Sequence, residues 1–106
     1  MSDLGLTERE QQLIRRVLER HPEVESAKIF GSRAKGTATP SSDVDIAVWG
    51  RISTPLLAII AGELDELPLP YLFDIQDYSG IRHLPLREHI DRAGKLFYTK
   101  PHLLNS

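Results

Sequence analysis

Cysteine is absent from the 106 residues, which excludes a disulfide framework and a cysteine-ligated zinc site and leaves a reducing compartment open. Long apolar runs are absent as well; none approaches the roughly 18 residues of a membrane span. The opening MSDLGLTERE has no basic stretch followed by an apolar one, so it does not read as a secretory signal. A soluble cytoplasmic chain with no membrane contact is therefore the default expectation. Excess charge is missing too. The formal net charge is −2, so bulk electrostatics makes no case for direct nucleic-acid binding. His21, His83, His89 and His102 show no convincing metal-ligand spacing, and a catalytic histidine is not expected. What is present is 41% hydrophobic residues, enough for an ordinary core. The length suits one domain over 1–106, with frayed tails at 1–5 and 99–106.

Hydrophobic periodicity predicts the order α-β-β-α-β-α-β. Residues 7–21 read as a helix, with Thr7 and Glu10 at capping-box spacing and Leu13, Ile14, Val17 and Leu18 as its apolar stripe. The arginines off that stripe read as a solvated face. Strands are predicted at 24–30 and 44–50, joined through a loop, Thr37 to Ser42, of small hydroxyl residues. A second helix spans 54–67, with Pro55 at its first position and Ser53 or Thr54 as cap. Gly62 inside it costs about 1 kcal/mol relative to alanine, which suggests close packing there. In the strand 71–77, Leu72 and Asp74 share a face, and Asp77 lies on the other. A last helix, 85–94, turns Leu86 and Ile90 inward with Gly94 as C-cap, and Leu96 to Tyr98 form a final strand. Trp49 and Tyr71 read as packing residues. This order predicts an α/β (α+β) fold: a mixed sheet of about four strands with helices packed on it.

The chain is organised around AKIFGSRAKGTATPSSDVDIAVWG, residues 27 to 50. A short apolar run stops at Gly31, where backbone can approach a ligand and positive φ costs little. Ser32 adds a hydroxyl beside free N–H groups, and a helix starting there would favour an anion. Arg33 and Lys35 are placed to offset phosphate charge. Ser41 and Ser42 suit local hydrogen bonds that order the loop, and Ser42 joins the nucleotide-side candidates. Asp43 and Asp45 lie two apart, so on a strand they share a face and repel unless a cation lies between them. Oxygen ligands of this kind suit Mg²⁺. If the third strand lies beside the second, Asp74 completes a trio around one or two ions. One ion would bind a nucleoside triphosphate and the other would activate an acceptor hydroxyl.

Gly31-Ser32, ten residues, then Asp43-Val44-Asp45 resembles the signature of the DNA polymerase β-like nucleotidyltransferase superfamily. GSRAKGTATPSSDVDIAV is similar to its minimal members, and FDIQDYSGI with LREHIDRAGKLFY resembles the third-carboxylate strand, last helix and closing strand. The resemblance implies the nucleotidyltransferase palm, with Asp43, Asp45 and Asp74 as catalytic metal-binding carboxylates and Gly31 and Ser32 as the nucleotide turn. It implies AMP transfer from ATP to a hydroxyl. It also implies the antitoxin role of minimal members, which silence a HEPN-domain toxin by adenylylating a tyrosine. Larger relatives carry an extra domain to grip small acceptors; the short length here points to a protein as acceptor. Alternatives are an antitoxin that neutralises by binding alone, or transfer to a small molecule with a partner subunit. Spare apolar residues leave pairing with a second copy or with the toxin open.

Overall fold

The computed structural model describes residues 4–39 and 41–101. Helix α1 (Glu8–Glu19) starts on a reciprocal capping box: Thr7 Oγ1 accepts the Glu10 N–H at 3.1 Å, and the Glu10 carboxylate accepts the Thr7 N–H at 2.9 Å. Strand β1 (Val24–Phe30) leads into a single helical turn, α2 (Ser32–Lys35), and then strand β2 (Val44–Gly50). Helix α3 (Thr54–Asp65) is capped by Ser53, whose Oγ accepts the Leu56 N–H at 3.2 Å. Strand β3 (Phe73–Asp77), helix α4 (Leu84–Ala93) and strand β4 (Lys95–Thr99) complete the described chain.

The four strands form one sheet in the order β3-β2-β1-β4. β1 runs antiparallel to both neighbours, and β2 and β3 are parallel, joined by the crossover through α3. The expected mixed sheet with helices packed on it is therefore what forms. Period-two alternation divides β2 between two environments. Val44, Ile46 and Val48 point to the face covered by α1 and α3, where they pack with Ile14, Val17, Leu18, Leu56, Ile60 and Leu64. Ala47 points to the opposite face, where a smaller cluster gathers Phe30, Ile81 and Ile90, with Trp49, Tyr78 and Leu86 at its margin. Each fully buried Val, Ile or Leu contributes about 1.5–3 kcal/mol, so the first face carries most of the fold's apolar stabilisation.

Four expectations change. β3 begins at Phe73 rather than at 71: the Leu72 carbonyl already accepts the Val44 N–H at 2.9 Å, but Tyr71 turns back to donate its hydroxyl to the Glu10 carboxylate. Residues 1–3 and 102–106 of the expected tails lie outside the described residues. The described parts of those tails are held: Leu4 is buried, and the Lys100 N–H and Nζ donate to the carbonyls of Glu25 and Pro22. Gly62 does not serve close packing, because a methyl group built there meets nothing within 4 Å. The fourth change is the one-turn helix α2 itself, which falls in what periodicity alone treats as the exit from β1.

Candidate active site

β1 ends opposite the start of β2, with Phe30 paired to Asp45. The parallel β2–β3 register pairs Asp45 with Asp74. Asp43, two residues before Asp45, stands at the same end of the sheet, and its charge acts on Asp45 together with that of Asp74. The three predicted carboxylates therefore stand at the same end of two neighbouring strands, Asp43 just before β2, on the face that α4 covers only in part. Asp74 is exposed, and its Oδ2 accepts a hydrogen bond from Gln76 Nε2 at 3.3 Å. Asp77 is separated from the trio by strand alternation: its carboxylate accepts the Ser79 N–H and caps the 3-10 turn that follows.

The glycine-serine turn lies directly against this trio. Gly31 adopts φ 76°, ψ −150°, and a Cβ there would collide with the Asp45 carboxylate. The backbone conformation favours glycine outright, and any larger residue would also have to push the Asp45 carboxylate aside. The chain then closes α2: the Lys35 N–H donates to the Gly31 carbonyl at 3.1 Å, and the Thr37 N–H to the Ser32 carbonyl at 3.0 Å. The N–H groups of Ser32, Arg33 and Ala34 precede the first intrahelical bond and so have no helical acceptor. A four-residue helix has little macrodipole; what the turn offers an anion is these donors together with the Ser32 hydroxyl.

Two predicted nucleotide-side residues have other tasks. Arg33 is not a phosphate clamp but a buried structural cation, 1% exposed. Its Nη1 donates to the carbonyls of Leu4 and Gly5, its Nη2 to Ser42 at 2.7 Å and its Nε to Asp43, while Tyr71 stacks on the guanidinium. A buried cation needs its donors matched, and these backbone oxygens do so. Arg33 thereby ties the N-terminal segment to the loop that enters β2. Ser42 is correspondingly a loop staple: its Oγ accepts the Thr39 N–H at 2.9 Å, and its own N–H donates to the Thr39 carbonyl. Lys35 is exposed and free to face an anion.

Electrostatics marks Asp45 as the strained member. Burial first, then the charges of Asp74 and Asp43, push its carboxyl above the usual aspartate range, and Arg33 pulls it back only in part. Among the described residues no three His, Cys, Asp or Glu side chains converge closely enough to chelate an ion by themselves. The donor set nonetheless fits Mg²⁺. It is all oxygen and mutually repelling, and Mg²⁺ ordinarily takes one or two carboxylates and completes its shell with water and substrate phosphates.

Sequence reasoning missed His89. Its Nε2 accepts the Gly31 N–H at 2.9 Å, and its ring lies edge-on to Phe30 with centroids 6.1 Å apart. The available signal was its position on α4, three residues after Leu86 and next to Ile90, on the helix's inward stripe.

The fold finds counterparts among known proteins. The sequence profile described as Polymerase beta, Nucleotidyltransferase matches residues 12–102. No curated protein matches the chain. Solved structures do. A chain of a toxin–antitoxin complex with AMP-PNP is 23% identical, with TM-score 0.72 over 87% of this chain and 75% of that one. A chain of the complex of tri-AMPylated Shewanella oneidensis HEPN toxin with MNT antitoxin is 20% identical, with TM-score 0.60 over 90% and 77%. A chain of the toxin–antitoxin MntA-HepT is 20% identical, with TM-score 0.57 over 87% and 72%. At these identities the structural likeness speaks for the fold. The profile covers most of the sequence, and with it the chain belongs to the polymerase β nucleotidyltransferase family.

Proposed function

We propose that this chain is a Mg²⁺-dependent protein adenylyltransferase that moves AMP from ATP to a tyrosine hydroxyl of a HEPN-domain toxin and so acts as its antitoxin. The observation that carries the reading is the pairing of Asp45 with Asp74 beside a turn whose positive φ at position 31 strains any residue but glycine. The similar complexes with AMP-PNP and with a tri-AMPylated HEPN toxin support the choice of nucleotide and partner. ATP and Mg²⁺ are cytoplasmic reagents, so the proposed setting is the cytoplasm, and the proposed unit is one domain over 1–106.

Asp43, Asp45 and Asp74 would hold the metal. Bound there, Mg²⁺ supplies Lewis-acid charge stabilisation to phosphoryl oxygens. The chain's own groups do the rest. The N–H groups after Gly31 and the Ser32 hydroxyl cradle the triphosphate, and Lys35 offsets charge that accumulates on the departing pyrophosphate. Asp45, whose ionised form is disfavoured by burial and by the charges of Asp74 and Asp43, is a carboxylate that a neighbouring cation would stabilise, so its part is to seat the ion rather than to touch the phosphates. Positioning plus fixed charge accounts for most of the acceleration.

The test mixes the purified chain with the protein encoded beside it, ATP and Mg²⁺, and weighs both by mass spectrometry. The expected result is an adenylyl-sized gain on the neighbour, abolished by Asp43→Asn or Asp45→Asn. If both variants still neutralise the neighbour and no gain appears, the chain works by binding alone.

A further inference from the structure

The turn at Gly31 is held from two sides. The Asp45 carboxylate fills the space where a side chain would be, and the His89 imidazole takes the Gly31 N–H at 2.9 Å. We infer that His89 is a positioning residue for nucleotide binding, an unprotonated acceptor on α4 that fixes the Gly31 peptide and thereby aims the donors that follow it. The inference rests on the nucleotidyltransferase reading of the site and adds to it a residue from outside the signature, 58 positions from the turn.

The chemistry is specific about protonation. An imidazole nitrogen can accept a hydrogen only while it carries none, so Nε2 must be bare, with any ring proton on Nδ1. Protonation would set two donors against each other and break the tie. The surroundings oppose it: burial first, then Lys35 from α2 and Arg92 from α4, push the imidazole below the usual histidine range. From β1 the ring meets the uncharged Phe30, and from β2 Asp45 packs against Gly31 itself. The bond also assigns the donors. The Gly31 N–H belongs to His89, so phosphate oxygens are left the N–H groups of Ser32, Arg33 and Ala34. Those groups point where the Gly31 peptide sends them. Gly31 itself is the most pliable residue type, and without the imidazole its peptide could rotate at little cost.

The experiment measures affinity for Mg²⁺ with a non-hydrolysable ATP analogue by calorimetry, with melting curves on the same samples. His89→Phe keeps a ring against Phe30 but offers no acceptor; His89→Gln restores an acceptor oxygen that cannot be protonated in this range. Losing one oriented hydrogen bond predicts binding at least about fivefold weaker in His89→Phe and less than about fivefold weaker in His89→Gln. On acidification from about pH 7.5 to 5.5, wild-type affinity should fall further than that of His89→Gln, since only the wild type has an imidazole to protonate. If His89→Phe does not fold, the comparison of wild type with His89→Gln decides alone. Binding by His89→Phe within fivefold of wild type, or one shared pH profile for wild type and His89→Gln, overturns the inference. A wild-type chain that binds no analogue overturns the nucleotidyltransferase reading instead.

Discussion

One strand, β2, serves both faces of the sheet, and the two faces have opposite characters. Toward α1 and α3 it presents Val44, Ile46 and Val48, all with 0% exposure, in a closed apolar layer. Toward α4 it presents Asp45, Ala47 and Trp49, and cover is partial. Trp49 stacks on Tyr78 at 4.6 Å, the Arg87 guanidinium also lies over the Tyr78 ring, and the end bearing Asp43 and Asp45 stays open. The first face stabilises the fold. The second concentrates repelling carboxylates that a purely structural sheet would avoid, which is how functional sites commonly depart from local rules. The lesson is that stability and chemistry here are separated by alternation along one strand, not by separate segments of chain.

The comparison can be broken from either side. Asp43→Asn, on the open face, should lower AMP transfer by about 10²–10³-fold or more while the melting temperature does not fall; turnover and thermal denaturation on one preparation check both. Ile60→Ala, beneath the closed face, should do the reverse and cost about 2–5 kcal/mol in urea unfolding, because it leaves a cavity in a fully buried cluster. Arg33→Met should cost about 1–3 kcal/mol in the same assay, since the stem is replaced but the carbonyls of Leu4, Gly5, Ser42 and Asp43 lose their donors. Gly62→Ala should stabilise by about 0.5–1 kcal/mol, having open space around it and a helical backbone. A Gly62→Ala variant that melts lower would mean the position is constrained by something other than this chain.

Much of this division is visible in the letters of the chain. Asp43 and Asp45 at period two, and Leu72 with Asp74 on one face of β3, announce their placement because alternation is a local property. The Thr7–Glu10 box and the Ser53 cap are equally local. Arg33 and His89 are different. In sequence one suits a phosphate and the other has no evident role, until contacts with Leu4 and Gly31, 29 and 58 residues away, define their tasks. Periodicity reports which way a side chain points; it does not report which distant backbone oxygen or N–H waits there. The one-turn helix α2 is visible only as a conditional start at Ser32 for a related reason, since four residues are too few to carry a 3.6-residue period.

Thermal unfolding of wild type and Asp45→Asn without divalent cation, followed from acid to neutral pH, tests the separation most directly. Burial and its acidic neighbours hold the folded-state carboxyl of Asp45 above the ordinary aspartate value, so the folded protein holds this proton to higher pH than the unfolded chain does. Its contribution to stability is full below that value and is lost as pH rises through the folded pKa. The account predicts that Asp45→Asn, inactive, melts above wild type at neutral pH, that the gap closes on acidification, and that Mg²⁺ with nucleotide raises only the wild type. An Asp45→Asn variant that melts below wild type at neutral pH would contradict it.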